Sequence, residues 1–269
     1  GGLSFSFLDG RNPALLTNNQ GSSISFSHKN KYSGLAKVSF LSFLHAKNKH
    51  PYLLSLITRT INDIPDTRSA WNYESNTIDY NKITFFSQNE IGFQISTIRI
   101  LDPFTIGINL KPNFIGLSNY KGYGISSDLS VMYNNNNEKI KIFLQLIDII
   151  GVKYWSTGTK ESIPPVILAG LYYNYSNFNF GIEKGFYIDK HSPHPFHIGI
   201  EYINNNNLFV RLGASHENML TLGVGMKVIF MDIDFAYIVP AKGTPLNETF
   251  VLSGTMYLKQ IMNIKEKIA

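Results

Sequence analysis

Apolar and polar residues alternate along much of this chain, in runs as long as nine residues. Residues 220–228 read LTLGVGMKV and residues 231–237 read MDIDFAY, and the same pattern recurs at 104–111 and 196–202. Successive side chains of a β-strand point to opposite faces, whereas a helix would distribute these lysines and aspartates around its circumference. The pattern therefore predicts β-strands with one apolar face.

The two faces differ so strongly that a membrane is the expected environment. One face is almost purely aliphatic and aromatic, and the other carries Gly, Ser, Thr, Asn and a few charges. Only 16% of the residues are charged, and Phe (19) and Tyr (15) are abundant. Transmembrane strands face lipid on one side and a lumen on the other. The alternative is a soluble β-sandwich or barrel whose apolar face is a core, although its outer face would carry more charge.

Counting the runs predicts an all-β fold, a transmembrane antiparallel β-barrel of about fourteen strands over residues 21–258. Single-chain bacterial barrels have an even number of strands, with short periplasmic turns and longer outer loops. The links alternate in this way, with 118–121 and 217–218 as short exceptions among the outer loops, and place both chain ends on the periplasmic side. The predicted strands are 21–28, 34–44, 51–60, 83–101, 104–117, 122–133, 139–150, 165–175, 177–188, 195–203, 208–216, 219–228, 230–240 and 249–258.

Charge and cysteine content exclude several other classes. The net charge is +5, but the lysines are scattered among acids and form no basic stripe, so we do not expect nucleic-acid binding. The chain has no cysteine, hence no disulfide and no thiolate site. No run approaches the roughly 18 apolar residues of a membrane-spanning helix. The chain opens without a basic and apolar leader, so an outer-membrane location requires a mature form.

Seven short segments, most of them in the second half, carry a resemblance to a known group of barrels. Over most of 92–258 the chain resembles PorV/PorQ-type outer-membrane proteins of the FadL-like superfamily, which implies a barrel of the bacterial outer membrane. The segments are GISSDL at 124–129, ESIPP at 161–165 before AGLYY at 169–173, GIEY at 199–202, VRLG at 210–213, LGVG at 222–225 and DFAY at 234–237.

The first twenty residues also resemble this group. Gly1-Gly2 and then Asn12-Pro13-Ala14-Leu15 look like its glycine pair and Asn-Pro-Ala segment, although the stretch between them is shorter. The resemblance implies that residues 1–20 form a plug in the lumen. An Asn-Pro pair is otherwise an ordinary turn starter.

Charged residues on the polar face are the candidate site residues. Short turns bring Glu201 next to Arg211 and Lys227 next to Asp232, so we expect ion pairs in the lumen. The favoured interpretation is that these charges neutralise one another and tie the plug to the wall; the alternative is a substrate-selective constriction. With the plug residues Asn12 and Pro13, the candidates are Asp128, Glu183, Glu201, Arg211, Lys227, Asp232 and Asp234.

Motifs for catalysis or metal binding are weak. His191, His194 and His197 follow at spacing three, but the intervening prolines would splay them, so we expect no metal. Asp232 and Asp234 lie roughly 7 Å apart on one strand face, without a sugar-binding cleft in view. We expect neither an enzyme nor a cofactor. The basic tail 259–269 is expected in the periplasm, as a solvated terminus or a docking handle.

Two functions fit such a barrel, which in either case is embedded in outer-membrane lipid. The resemblance implies a non-catalytic partner or cargo-binding subunit of a protein export or surface-display assembly, of the type IX secretion kind, with a larger translocon or surface protein as partner. The alternative is a FadL-like transporter of hydrophobic small molecules. That function needs an apolar pocket leading to a lateral opening, for which Phe143, Ile147 and Phe209 at inward positions are the hints.

Overall fold

The structure is a computed structural model that describes residues 12–16, 21–46, 50–72, 74–135, 139–187, 195–205, 207–215, 219–240 and 247–258. Fourteen long strands form one antiparallel sheet that closes where the last pairs with the first, Ser23 opposite Tyr257. They are β1 Ser23–Lys31, β2 Ala36–His45, β3 Tyr52–Asp66, β6 Thr84–Leu101, β7 Phe104–Leu117, β8 Tyr120–Asn134, β9 Ile140–Trp155, β11 Val166–Tyr175, β12 Phe178–Tyr187, β13 Phe196–Asn204, β14 Leu208–Ser215, β15 Leu220–Val228, β16 Met231–Val239 and β17 Thr249–Tyr257.

Short elements complete the described chain. β4 (Trp71–Asn72) and β5 (Thr77–Ile78) form a small hairpin in the connection between β3 and β6. β10 (Lys160–Ser162) pairs with the end of β9. Three single-turn 3-10 helices lie at Pro13–Leu16, Tyr32–Gly34 and Tyr80–Lys82. No helix among the described residues combines the length and the apolar character needed to cross a membrane.

The apolar face of the strands is the outer face of the barrel. Ile198, Leu212 and Val224 are about half exposed, at 49%, 51% and 52%. Polar residues of the opposite parity, such as Gln94, Asn109, Asp128 and Ser130, are buried inside. This arrangement confirms the predicted transmembrane barrel, and the soluble alternative is wrong because its apolar residues would fill a core. A closed sheet leaves no unpaired strand edge toward lipid.

Two strands are longer than the sequence pattern predicted. β3 continues to Asp66 and β9 to Trp155, beyond the expected ends at 60 and 150. Each contains a bulge, with a register shift between Ile61 and Ile64 in β3 and another opposite Ser127 and Leu129 of β8. A bulge interrupts the two-residue period, so the alternation no longer marks the strand beyond it.

The barrel wall is uneven in height. β3 and β6 to β9 have 14 to 18 residues, whereas β11 to β17 have 8 to 10. The links 102–103, 176–177 and 229–230 are short and lie at one end, together with the start of β1 and the end of β17. The longer connections lie at the other end. We name these the short-turn end and the long-loop end; the periplasmic orientation of the first stays a prediction.

Candidate functional site in the barrel interior

The segment Asn12–Leu16 lies against the inner wall near the short-turn end. Ala14 and Leu16 are fully buried, and the Ala14 N–H donates to Ser130 Oγ at 3.0 Å and to Asn12 Oδ1 at 3.1 Å. Gly107 on β7 permits this approach, because a Cβ there would lie 2.5 Å from the Ala14 nitrogen. The remainder of residues 1–20 lies outside the described residues, so a plug of that full length stays a prediction.

Apolar side chains hold this segment to the wall. Ala14 and Leu15 pack with Met132, Phe143 and Leu168 in one buried cluster. Leu16 packs with Leu44, Leu53 and Ile98 in a second cluster. The contact of Asn12–Leu16 with the wall is therefore largely apolar, and an ionic tie between the rest of the plug and the wall stays a prediction.

Lys111, Asp128 and Asp148 form an ionic cluster on the inner face of β7, β8 and β9. The Lys111 Nζ lies 2.6 Å from Asp128 Oδ1 and 2.7 Å from Asp148 Oδ1. Asn109 Nδ2 donates to Asp128 Oδ2 at 2.9 Å, and the Asp148 N–H donates to Asp128 Oδ1 at 2.9 Å. Asp128 is only 3% exposed, so its charge is compensated entirely by these donors.

Asp148 reaches the lumen because of the bulge in β9. Leu129 pairs with Leu146 and Ser127 with Ile150, so the single residue Asp128 faces three residues of β9. Asp148 has a φ of 53°, a left-handed conformation that is uncommon outside glycine. Sequence reasoning missed Asp148; the available signal was the loss of alternation in Ile147-Asp148-Ile149-Ile150.

The wall is also interrupted on the other side of this bulge. β11 pairs with β9 only up to Ile147 opposite Val166, and β10 resumes the pairing at Val152 opposite Ser162. The connecting residues include Pro164 and Pro165, which have no N–H to donate. One bond, from the Ile163 N–H to the Gly151 carbonyl at 2.9 Å, spans the gap. Residues 148 and 149 of β9 thus lack ladder partners on both sides, and Ile150 is paired only with Ser127 of β8.

A cavity of about 500 Å³ lies inside the barrel beside this interrupted stretch. Its polar side includes Lys111, Asp128 and Asp148, and Glu183 and His197 line it from β12 and β13. Its apolar side consists of Ile147, Ile163, Pro164, Val166 and Leu168. Leu168 also packs in the cluster with Ala14, so the Asn12–Leu16 segment lies below the cavity, toward the short-turn end.

A second ionic cluster lies on the shorter side of the barrel. Arg211 Nε donates to Glu201 Oε2 at 2.5 Å, and its Nη1 donates to Asp234 Oδ1. Asn179 Nδ2 donates to Glu201 Oε1 at 2.7 Å. Glu201 and Arg211 are the neighbours expected from the short turn between their strands. Asp234 comes from β16, two strands from Arg211, and Gly225 leaves the space for its carboxylate.

Lys227 and Asp232 are opposite one another in the register, as expected, but each contacts Tyr257 of β17. The Tyr257 hydroxyl donates to Asp232 Oδ2 at 2.7 Å. The Lys227 Nζ lies 5.3 Å from the centre of the Tyr257 ring. Tyr257 is 2% exposed, so this group anchors the last strand next to the barrel closure.

The remaining candidates fall in different places. Glu183 is 1% exposed and lines the cavity. Phe143 is buried beneath the Asn12–Leu16 segment, Ile147 lines the cavity, and Phe209 lies under the Arg211 guanidinium. The tail 259–269, His191 and His194 lie outside the described residues. Across the described ranges no three His, Cys, Asp or Glu side chains are grouped to hold a metal ion.

Comparison with known proteins identifies solved structures with the same fold. No family profile and no curated protein sequence matches the chain. Among solved structures, the toluene transporter TodX of Pseudomonas putida matches with a TM-score of 0.67 at 10% identity, over 94% of each chain. The barrel has the TodX fold. The monoaromatic hydrocarbon channel CymD matches with a TM-score of 0.61 at 10% identity, over 94% of this chain and 92% of CymD.

The TodX-like fold and the apolar outer belt together make this an outer-membrane barrel, as the sequence predicted. At 10% identity these matches show the fold alone, so the resemblance to the FadL-like superfamily stays a prediction. The finer resemblance to PorV/PorQ-type proteins stays a prediction. That the chain is non-catalytic also stays a prediction.

Proposed function

We propose that this protein is a channel that lets small hydrophobic molecules cross the outer membrane. The observation that carries the proposal is the cavity of about 500 Å³, whose apolar side borders the interrupted wall between β9 and β11. Pockets for hydrophobic ligands combine an apolar lining with a few fixed polar groups. Ile147, Val166 and Leu168 supply the apolar lining. The cluster around Lys111 supplies the polar groups.

The direction of passage follows from what surrounds the cavity. Asn12–Leu16 lies between the cavity and the short-turn end, so a ligand that enters from the long-loop end meets this segment. The stretch at residues 148–150 lies beside the cavity and has few ladder bonds. Ile149 and Ile150 there are 43% and 69% exposed, and neither lines the cavity. We propose that an apolar ligand leaves sideways, through this stretch, into the hydrocarbon layer.

The fold comparison supports the same class of ligand. TodX is described as a toluene transporter and CymD as a monoaromatic hydrocarbon channel. A cavity of this volume accommodates a molecule of that size or somewhat larger.

The export-subunit function gains no such support. TodX and CymD are small-molecule channels, and no surface of the described residues favours a translocon or cargo protein. It stays a prediction, for which copurification from native outer membrane is the test.

Filling the cavity tests the channel proposal. Val166→Trp adds an indole at the inward position of β11, and the neighbouring Ile167→Trp adds it on the lipid face, where tryptophan is tolerated. Initial toluene uptake is measured in Gram-negative host cells that express each variant. We expect Val166→Trp to reduce uptake to the level of cells without the protein and Ile167→Trp to retain it. Equal uptake by both variants, at equal surface expression, would overturn the proposal.

A further inference from the structure

We infer that the cavity selects hydrophobic molecules that carry a hydrogen-bond donor, amines above all and then alcohols, and rejects hydrophobic carboxylates. The inference rests on the proposed function, because it names the ligand class of the same cavity. It is drawn from the charges and open acceptor atoms on the polar side of the cavity.

The cluster of Lys111, Asp128 and Asp148 on the polar side carries more negative than positive charge. One ammonium group, that of Lys111, is shared by the carboxylates of Asp128 and Asp148, so this cluster has a formal charge of −1. Glu183 and His197 also line the cavity, but each has contacts of its own and does not enter this charge balance. A carboxylate ligand would enter a partly desolvated space beside this excess of negative charge, where repulsion is stronger than in water.

The two aspartates of the cluster differ in what they leave for a ligand. Asp128 uses both oxygens, one toward Lys111 and the Asp148 N–H and the other toward Asn109. Asp148 uses Oδ1 toward Lys111, and within the described ranges no donor reaches its Oδ2. Asp148 is 21% exposed and lines the cavity, so Oδ2 is an accessible acceptor. An ammonium or hydroxyl group of a ligand can donate a hydrogen bond to this acceptor, whereas a carboxylate has no proton to donate.

The apolar side sets the shape of the rest of the ligand. Ile147 precedes Asp148 in the same bulge and also lines the cavity, with Val166 and Leu168 on the adjacent strand β11. A ligand that places its head group at Asp148 therefore directs its hydrocarbon part along these aliphatic side chains. This geometry suits a phenyl ring or short alkyl chain several bonds away from the head group.

Three ligands with the same hydrocarbon part test the inference: phenylbutylamine, phenylbutanol and phenylbutyrate. Binding to the purified full chain in neutral detergent is measured calorimetrically at about pH 8, where the amine and the carboxylate are charged and ordinary imidazoles are largely neutral. We expect the amine to bind about tenfold or more tighter than the carboxylate, with the alcohol between them. Asp148→Asn should reduce this ratio to roughly threefold or less.

The control variant is Asp79→Asn, an exposed aspartate in the long-loop connection that pairs with Lys82. It should retain the full preference of the unmodified chain. Binding of all three ligands with equal affinity, or best binding of the carboxylate, would overturn the inference and leave the channel function standing. Failure of all three ligands and of toluene to bind would overturn the channel function and this inference together.

Discussion

Lys111 on β7 reaches across β8 to Asp148 on β9, with its Nζ 2.7 Å from Asp148 Oδ1. On the way the same ammonium group contacts Asp128 at 2.6 Å. One side chain therefore connects three neighbouring strands at the place where the bulge interrupts their ladder. The Lys111 ammonium group therefore stabilises the bulge that brings the Asp148 carboxylate, the acceptor group, to the cavity.

Removal of this cation should destabilise the barrel. Lys111→Met keeps the aliphatic length but leaves two carboxylates without their shared ammonium group, at a cost of about 2–4 kcal/mol in the free energy of unfolding. The measurement is urea unfolding in lipid vesicles. The double variant Lys111→Met with Asp148→Asn should recover part of the loss, because fewer charges remain unpaired. An unchanged unfolding midpoint for the single variant would contradict the role given to Lys111.

Arg211 should not be replaceable by lysine. Its guanidinium donates to Glu201 through Nε and to Asp234 through Nη1, a fork that an ammonium group does not reproduce. We expect Arg211→Lys to reduce the free energy of unfolding by about 1–3 kcal/mol and Arg211→Met by more. Arg68→Lys, in the exposed connection after β3, is the matched control and should leave the unfolding midpoint unchanged. If Arg211→Lys and Arg68→Lys were equally stable, the paired hydrogen bonds of the Arg211 guanidinium would not contribute to stability.

Gly107 should be required for the position of the Asn12–Leu16 segment. In Gly107→Ala the new Cβ would meet backbone atoms, the Ala14 nitrogen at 2.5 Å and the Pro13 carbonyl carbon at 2.6 Å, so the segment must leave the wall. We expect higher ion conductance of single barrels in planar bilayers, because the lumen near the short-turn end is then less filled. Gly116→Ala on the same strand has its nearest contact at 3.9 Å and is the control. The same conductance in both variants would count against a segment that restricts the lumen.

The lipid face should reject charge more strongly than the lumen face. Val224 lies in the middle of β15, is 52% exposed on the outer surface and pairs with Val210 and Phe235. Val224→Lys should lower the free energy of unfolding in lipid vesicles by about 2–4 kcal/mol, because lysine near the bilayer centre destabilises the barrel by this amount. Thr221→Lys, on the inward parity of the same strand, should have a smaller effect. Folding titrations in urea with lipid vesicles measure both variants, and a reversed order would contradict the assignment of the two faces.

Much of the architecture could be predicted because it depends on local periodicity. The alternation in residues 220–228 indicates both the strand and which of its side chains face lipid. The short turn before Leu208 likewise places Glu201 opposite Arg211, since a tight hairpin fixes the register of its two strands. These relationships involve residues close together in the chain.

The site depends on relationships that no local pattern contains. Asp148 enters the lumen only through a bulge that breaks the period, and Asp234 meets Arg211 from two strands away. The cavity exists because the Asn12–Leu16 segment packs on β6, β7 and β8 below it, and because β11 begins short of the end of β9. The sequence by itself determined the strands, their two faces and the membrane they cross, because a period of two residues is a property of neighbours. The tertiary structure alone decided the bulge, the segment position and the cavity, because these arise from register and closure among strands far apart in the chain.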